Sequence, residues 1–333
     1  MAELYPFLLL PEFSPRPWGT LDLSPIYTDH KFTEKIGEAW LTGDECRVKN
    51  GPLAGQRLAD LAAQYQRELV GEAAREPDRF PLLLKFLFPN DKLSVQVHPD
   101  DECAQKVGQP WGKTECWYVF RAQPGAQVAL GLKPGITRRK LERAIAENRA
   151  EQLLNWLDID QGEMIYVAGG TVHAISAGSI LVETQQSSDT TYRLYDYGRP
   201  RELHLELGLQ AVKEKNGSGK IAVGRGRASD RNGNDHEELI RAPYFVVDKF
   251  RWNTPHELST LDDQHLRSTQ ILVPLEGCGV IEAQGCQPTT FSPGEALVVP
   301  ACVREFRITP QWQLEFLRAR VPGSPLPEPE TAM

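Results

Sequence analysis

The sequence of 333 residues predicts a mainly β protein: two sandwich- or barrel-type domains with a few peripheral helices. Three observations carry that prediction. Short apolar or alternating segments at 93–97, 116–120, 127–131, 164–167, 179–184, 270–275 and 296–300 are each cut off by turn residues. Strands of this length, spaced by Gly and Pro, are the pattern of sandwiches and barrels. The sequence also echoes itself, with G-E-M-I-Y-V-A-G-G-T-V-H at 162–173 answered by G-E-A-L-V-V-P-A-C-V-R at 294–304. With one residue deleted, His173 aligns with Arg304, so the echo reads as a duplicated sandwich whose second copy has lost a donor side chain. Finally, only two stretches show helical spacing. These are 57–75, through Leu58, Leu61, Tyr65 and Leu69, and 137–157, through Leu141, Ile145, Leu153, Leu154 and Leu157, with Thr137 as an N-cap.

These features divide the chain into a metal-binding domain with helical additions at 1–213, a linker or mobile loop at 214–238 and a second, metal-free domain at 239–321. Residues 322–333 are expected to form a disordered tail with four prolines. Each domain can bury its sheet faces internally, so a monomer is expected.

Composition narrows the function. A net charge of −8, with no basic stripe, excludes a nucleic-acid partner, and an anionic substrate would need a local positive patch. No apolar run reaches the ~20 residues that span a bilayer, so no membrane partner is expected. The acidic, briefly apolar start does not read as a signal peptide. The six cysteines form no C-x-x-C pair, which suits reduced thiols in a cytoplasmic protein.

Chemistry concentrates in V-Q-V-H-P at 95–99, G-K-T-E at 112–115 and G-G-T-V-H at 169–173. Side chains two apart on a strand share a face, so Gln96 and His98 point one way while Val95 and Val97 point the other. With the carboxylate of Glu115 and the imidazole of His173 on later segments, this makes a mononuclear metal site. Lys113 shares the face of Glu115, whereas Cys116 lies opposite and reads as a buried thiol. Lys85, alone in the apolar L-L-L-K-F-L, needs a reason, and an anionic ligand is one. Asp100 and Asp101 read as turn and helix-cap residues. The remaining histidines have ordinary settings: His30, His236, His256 and His265 in polar loops, His204 in the half-buried strand E-L-H-L-E.

Together with I-G-E-A-W at 36–40, L-S-V-Q-V-H-P-D-D at 93–101, G-K-T-E-C-W-Y at 112–118, A-G-G-T-V-H-A-I at 168–175 and L-V-E-T-Q-Q-S-S-D-T-T-Y-R at 181–193, these patches resemble the short form of type I mannose-6-phosphate isomerases. The resemblance covers about two thirds of the chain and fades after Arg199. It implies two cupin-type jelly-roll domains and one zinc ion per chain, held by Gln96, His98, Glu115 and His173. Imidazole and carboxylate suit zinc, and a neutral amide adds no charge. It further implies interconversion of mannose 6-phosphate and fructose 6-phosphate through an enediol. Glu183 would act as base, Arg193 would stabilise the enediolate with Lys113 beside it, and Lys85 and Asp189 would bind the sugar phosphate. Two alternatives stay open. His98, Glu115 and His173 alone would suit an iron-dependent cupin oxygenase, although Gln96 and the cationic lining favour the isomerase. The chain could also be a non-catalytic sugar-phosphate-binding protein.

Overall fold

The structure, a computed structural model, describes residues 3–332 apart from 216, 223–227, 263–264 and 325. The strand Glu115–Ala122 shows how sequence becomes architecture. Its odd positions Trp117 and Val119 join Leu87, Val128, Leu130, Ile175 and Leu181 in one apolar cluster. The even positions Cys116, Tyr118 and Phe120 join Phe7, Leu84, Phe86, Val273 and Leu317 in another. A strand apolar on both faces belongs to a sheet covered on both sides.

Among the described residues the strands form four sheets stacked in layers. Two eight-stranded sheets lie back to back in the middle, and the largest cluster fills the space between them. One orders Glu12–Thr20, Ile36–Trp40, Leu82–Leu87, Ser179–Gln186, Glu115–Ala122, Met164–Val167, Gly219–Ile221 and Thr331–Ala332. A five-stranded sheet closes its outer face, in the order Tyr192–Tyr195, Val95–Val97, His173–Ile175, Gln127–Leu132 and Leu154–Asp158. These two layers are the first sandwich. In the second, the other eight-stranded sheet faces a four-stranded one across Phe250, Trp252, Phe291, Phe306 and Phe316. The mainly β, two-sandwich prediction therefore describes the molecule.

The chain ends cross between the sandwiches. Phe7–Leu10 pairs with Ala296–Val299 in the second, while the next strand, Glu12–Thr20, lies in the first. In return, Thr331–Ala332 pairs with Gly219–Ile221, and the hydroxyl of Tyr166 donates to Glu328. The segment expected to be a disordered tail thus ends in a strand. The expected linker likewise holds Gly219–Ile221, Ala228–Ser229 and the start of Asp235–Arg241, with its positions 216 and 223–227 outside the described residues.

Three local expectations are corrected. The 57–75 helix is two short ones, Leu58–Tyr65 and Arg67–Val70, separated at Gln66 with φ 46°. The 137–157 helix is Arg138–Ala146, capped by Thr137 as expected but ended by Asn148 at φ 57°. A non-glycine residue with positive φ does not continue a right-handed helix. Leu154–Asp158 then turns into a strand against Gln127–Leu132, where pairing overrides the helical spacing of its leucines. Among the histidines, His204 is in no strand but at the N-terminus of the helix Leu205–Ala211, while His236 and His256 lie not in loops but in the strands Asp235–Arg241 and His256–Ser259. In the second sandwich, Arg304, which aligns with His173, is exposed with φ 67°.

Phe7 is fully buried in the strand that the N-terminus lends to the second sandwich. Phe7→Ala should cost about 3–5 kcal/mol in urea unfolding. A loss below about 1 kcal/mol would mean that this strand is not part of the packed sheet.

Candidate metal centre and substrate cleft

The site lies inside the first sandwich, where strand rows change from apolar to charged. Leu181 lies opposite Leu87 and Val119; two residues on, Glu183 lies opposite Lys85 and Trp117, and Gln185 opposite Glu115. On the facing sheet, Gln96 pairs in register with both His173 and Arg193. Val95 and Val97 point away, into the cluster under the helices. Period-two alternation alone therefore turns all these polar groups toward one interior space.

Two glycines bring the segments close. A Cβ on Gly112 would come within 2.5 Å of the Asp100 and Asp101 backbone, and one on Gly169 within 2.7 Å of Asp100 Cα. Asp100 caps the helix Asp101–Lys106, accepting from Cys103 N at 2.8 Å, and Asp101 accepts from Gly112 N at 2.8 Å. Both act as the cap and turn residues expected. The backbone after His98 is thus held between the two loops that carry Glu115 and His173.

His98, Glu115 and His173 are all buried, with ligand atoms within 4.8 Å of one another. Among the described residues no other group of three His, Cys, Asp or Glu meets this condition. Each imidazole has its Nδ1 2.9 Å from a backbone carbonyl, that of Thr190 for His98 and that of Thr171 for His173. Donation there fixes the tautomer and frees both Nε2 atoms as ligands. Burial pushes the pKa of His98 well down and that of His173 down to about 4, so both rings are neutral, the form that binds a metal. The Gln96 amide lies 3.2 Å from His173 Nε2 and 3.1 Å from Ser94 Oγ. Its oxygen can face His173 while its nitrogen donates to Ser94, since the two ends of the amide are interchangeable in shape. The donor set thus fits a divalent metal with mixed nitrogen and oxygen ligands.

Lys113 supplies positive charge to these donors. Its ammonium bonds Glu115 and lies 3.1 Å from His98 Nε2 and 3.4 Å from Glu183. Burial favours a neutral lysine, but the carboxylates of Glu115 and Glu183 outweigh it and raise the pKa of Lys113. Burial raises the pKa of Glu183, and the nearby lysine only partly offsets this. Lys85 is not isolated: it bonds Asp189 at 2.9 Å, approaches Glu38 to 3.9 Å and lies 4.2 Å from the centre of the Trp40 ring.

A cleft of about 420 Å³ reaches these groups from outside. Lys85, Gln96, Lys113, Glu115, Glu183, Asp189 and Arg193 line it, while His98 and His173 lie in the wall behind. Arg193 donates to Glu202 O at 2.8 Å, and its Nε is buried without a partner. Sequence reasoning gave no role to Arg16, Glu38 or Arg201, which also line the cleft. Glu38 sits in the motif I-G-E-A-W, but only the fold reveals its pairing with Arg16; Arg201 carries no sequence signal.

The comparisons with known proteins accord with this geometry. Residues 24–119 match the model of the phosphomannose isomerase type I catalytic domain. Mannose-6-phosphate isomerase ManA of Bacillus subtilis is 34% identical over 91% of this chain and 95% of its own length. The mannose-6-phosphate isomerase of Streptococcus mutans is 33% identical over 92% and 95%. The chain belongs to the type I phosphomannose isomerase family. The crystal structure of a Bacillus subtilis mannose 6-phosphate isomerase superposes on this family member with a TM-score of 0.82 at 30% identity, covering 94% of this chain and 99% of that one.

The Arg16–Glu38–Lys85 group makes stability at the cleft depend on pH. Burial would raise the pKa of Glu38, but Lys85 and Arg16 outweigh it and hold the carboxyl at about 2. A pKa depressed that far below the ordinary 4.5 corresponds to about 3 kcal/mol of stability. This contribution is complete above the unfolded value and is lost as pH falls from about 4.5 toward 2. Glu38→Gln should therefore be less stable than wild type at pH 7, with the gap narrowing steadily below pH 4.5. A gap unchanged between pH 7 and pH 3 in urea unfolding would refute the assignment.

Proposed function

We propose that this protein is a zinc-dependent isomerase that interconverts mannose 6-phosphate and fructose 6-phosphate through an enediol. The observation that carries the reading is the meeting of His98, Glu115 and His173 at the wall of a cleft lined by Arg16, Lys85, Lys113, Arg193 and Arg201. Relatives named for this activity align with nearly the whole chain. Gln96, His98, Glu115 and His173 would hold one zinc ion, which when bound supplies Lewis-acid polarisation at the O1/O2 edge of the sugar.

The remaining chemistry belongs to the chain. Glu183 moves the proton between C1 and C2; burial makes its carboxylate a stronger base than an exposed one. Lys113, between Glu183 and Glu115, keeps Glu183 ionised until it takes that proton. Arg193 stays charged at any working pH and offsets negative charge as the enediolate forms. Asp189 fixes Lys85 at the cleft wall, where both meet the sugar phosphate. The broad apolar cluster between the two sandwiches supports a monomer, and six unpaired cysteines support a cytoplasmic setting. Among the described residues no helix is long and apolar enough to cross a membrane.

The test is formation of fructose 6-phosphate from mannose 6-phosphate by protein stripped with chelator and reloaded with zinc. Zinc-restored turnover is expected; iron-dependent oxygen uptake in its place would overturn the reading. His98→Ala and His173→Ala should lose both metal and turnover while remaining folded, measured by metal content and circular dichroism. Glu183→Gln should keep near-stoichiometric metal and lose about 10²-fold or more in kcat. A wild-type rate in that variant would remove Glu183 as the base.

A further inference from the structure

Resting on this isomerase reading, we propose that Arg16 and Arg201 form the anion subsite that holds the phosphoryl group of the substrate. In a hexose 6-phosphate the reacting carbons and the phosphate lie at opposite ends of the molecule. The reacting end belongs beside His98, Glu115, His173 and Glu183, so the dianion must find its donors elsewhere in the cleft. The deep cations are engaged: Lys113 is held by Glu115, Glu183 and His98, and Lys85 by Asp189 and the face of Trp40. Each side chain is no more than 4% exposed.

Arg16 and Arg201 are built differently. Arg16 is gripped by Glu38 through two bonds of 3.0 Å and keeps 29% of its side chain exposed. Arg201 is gripped by the buried Asp196 through two bonds of 2.7 Å and keeps 22% exposed. A carboxylate that takes two of the five guanidinium N–H groups fixes the plane of the arginine and leaves other donors free. Both arginines line the cleft with Arg193, whose Nε is buried without a partner. Burial and the nearness of Arg201 and Arg16 push the pKa of Arg193 down, as expected where like charges converge. Two guanidiniums pre-oriented by carboxylates on the lining of one cleft suit a phosphate dianion, and leave Arg193 to the reacting end.

The variants Arg16→Gln and Arg201→Gln test this. Each leaves its carboxylate another partner: Trp40 Nε1 at 2.7 Å from Glu38, and Arg199 at 3.0 Å from Asp196. With zinc-loaded enzyme, each should raise KM for mannose 6-phosphate by about tenfold or more while kcat changes less than about threefold. Inhibition by inorganic phosphate should weaken in parallel. Phosphate binding followed by ³¹P NMR should be present in the wild type and lost in the double variant, a readout that needs no turnover. If wild type proves inactive on mannose 6-phosphate but binds phosphate through these arginines, the isomerase reading fails and the subsite stands. Unchanged KM and phosphate affinity, or a fall in kcat at constant KM, would overturn the subsite. Should a Gln variant not fold, the corresponding Lys variant keeps the charge but loses the planar fork, and should show a smaller KM rise.

Discussion

An ammonium group buried among carboxylates is the constraint on which this site depends. Lys113 is taken out of water together with Glu115 and Glu183, and desolvation of each ion costs several kcal/mol. Such a group persists only where every charge has partners on more than one side. Here the partners of Lys113 are Glu115 at the start of its strand, Glu183 in the central strand Ser179–Gln186, and His98 just beyond the strand Val95–Val97 of the facing sheet. The surrounding fold is what holds them there. Gly112 and Gly169 let the backbone after His98 pack between two loops, and Asp101 ties that backbone to Gly112. The same charged cluster that gathers the candidate metal donors and Glu183 is therefore also the place where the first sandwich is least tolerant of change.

The two sandwiches divide the load. In the second, stacked and edge-on aromatics pack among aliphatic side chains, with Phe250 and Phe316 5.0 Å apart and Trp252 and Phe316 5.1 Å apart. The second sandwich also covers the back of the sheet that carries Glu115 and Glu183. Cys116, Tyr118, Phe120 and Val182 pack there against Phe7, Val273 and Leu317. A sheet anchored so broadly on one face can hold an unfavourable row of ions on the other. The crossed chain ends close the arrangement, since each sandwich contains a strand from the opposite terminus.

The legible parts of this protein are those governed by short-range periodicity. Alternation alone sets Gln96 and His98 opposite Val95 and Val97, and Lys113 and Glu115 opposite Cys116, and strand length with turn spacing identifies the sandwiches. The misreadings share one cause, a local pattern overruled by distant partners. Leu154 and Leu157 continue a helical spacing yet pair with Leu132 and Val128, and the proline-rich tail finds an open edge at Gly219–Ile221. Lys85 looked unpaired because Glu38 and Asp189 lie 47 residues before it and 104 after it, by their numbering. No period in the sequence encodes such pairings.

The two kinds of cation in the cleft answer different physical demands. At depth a compact ammonium can sit within reach of an imidazole and two carboxylates at once, which a planar guanidinium could not do without displacing one of them. Toward the mouth the demand is reversed: a fork that bonds a structural carboxylate with one edge can offer its remaining N–H groups to a ligand. Glu38 joins the two regimes, gripping Arg16 directly and reaching Lys85 at 3.9 Å. An anion held at Arg16 would act on a chain of charges that runs inward through Glu38 to the buried Lys85, which Asp189 holds from the other side. Recognition at one end of the cleft and polarity at the other are parts of a single electrostatic network, one that the charges of −8 overall would oppose were it not enclosed by the apolar rows around it.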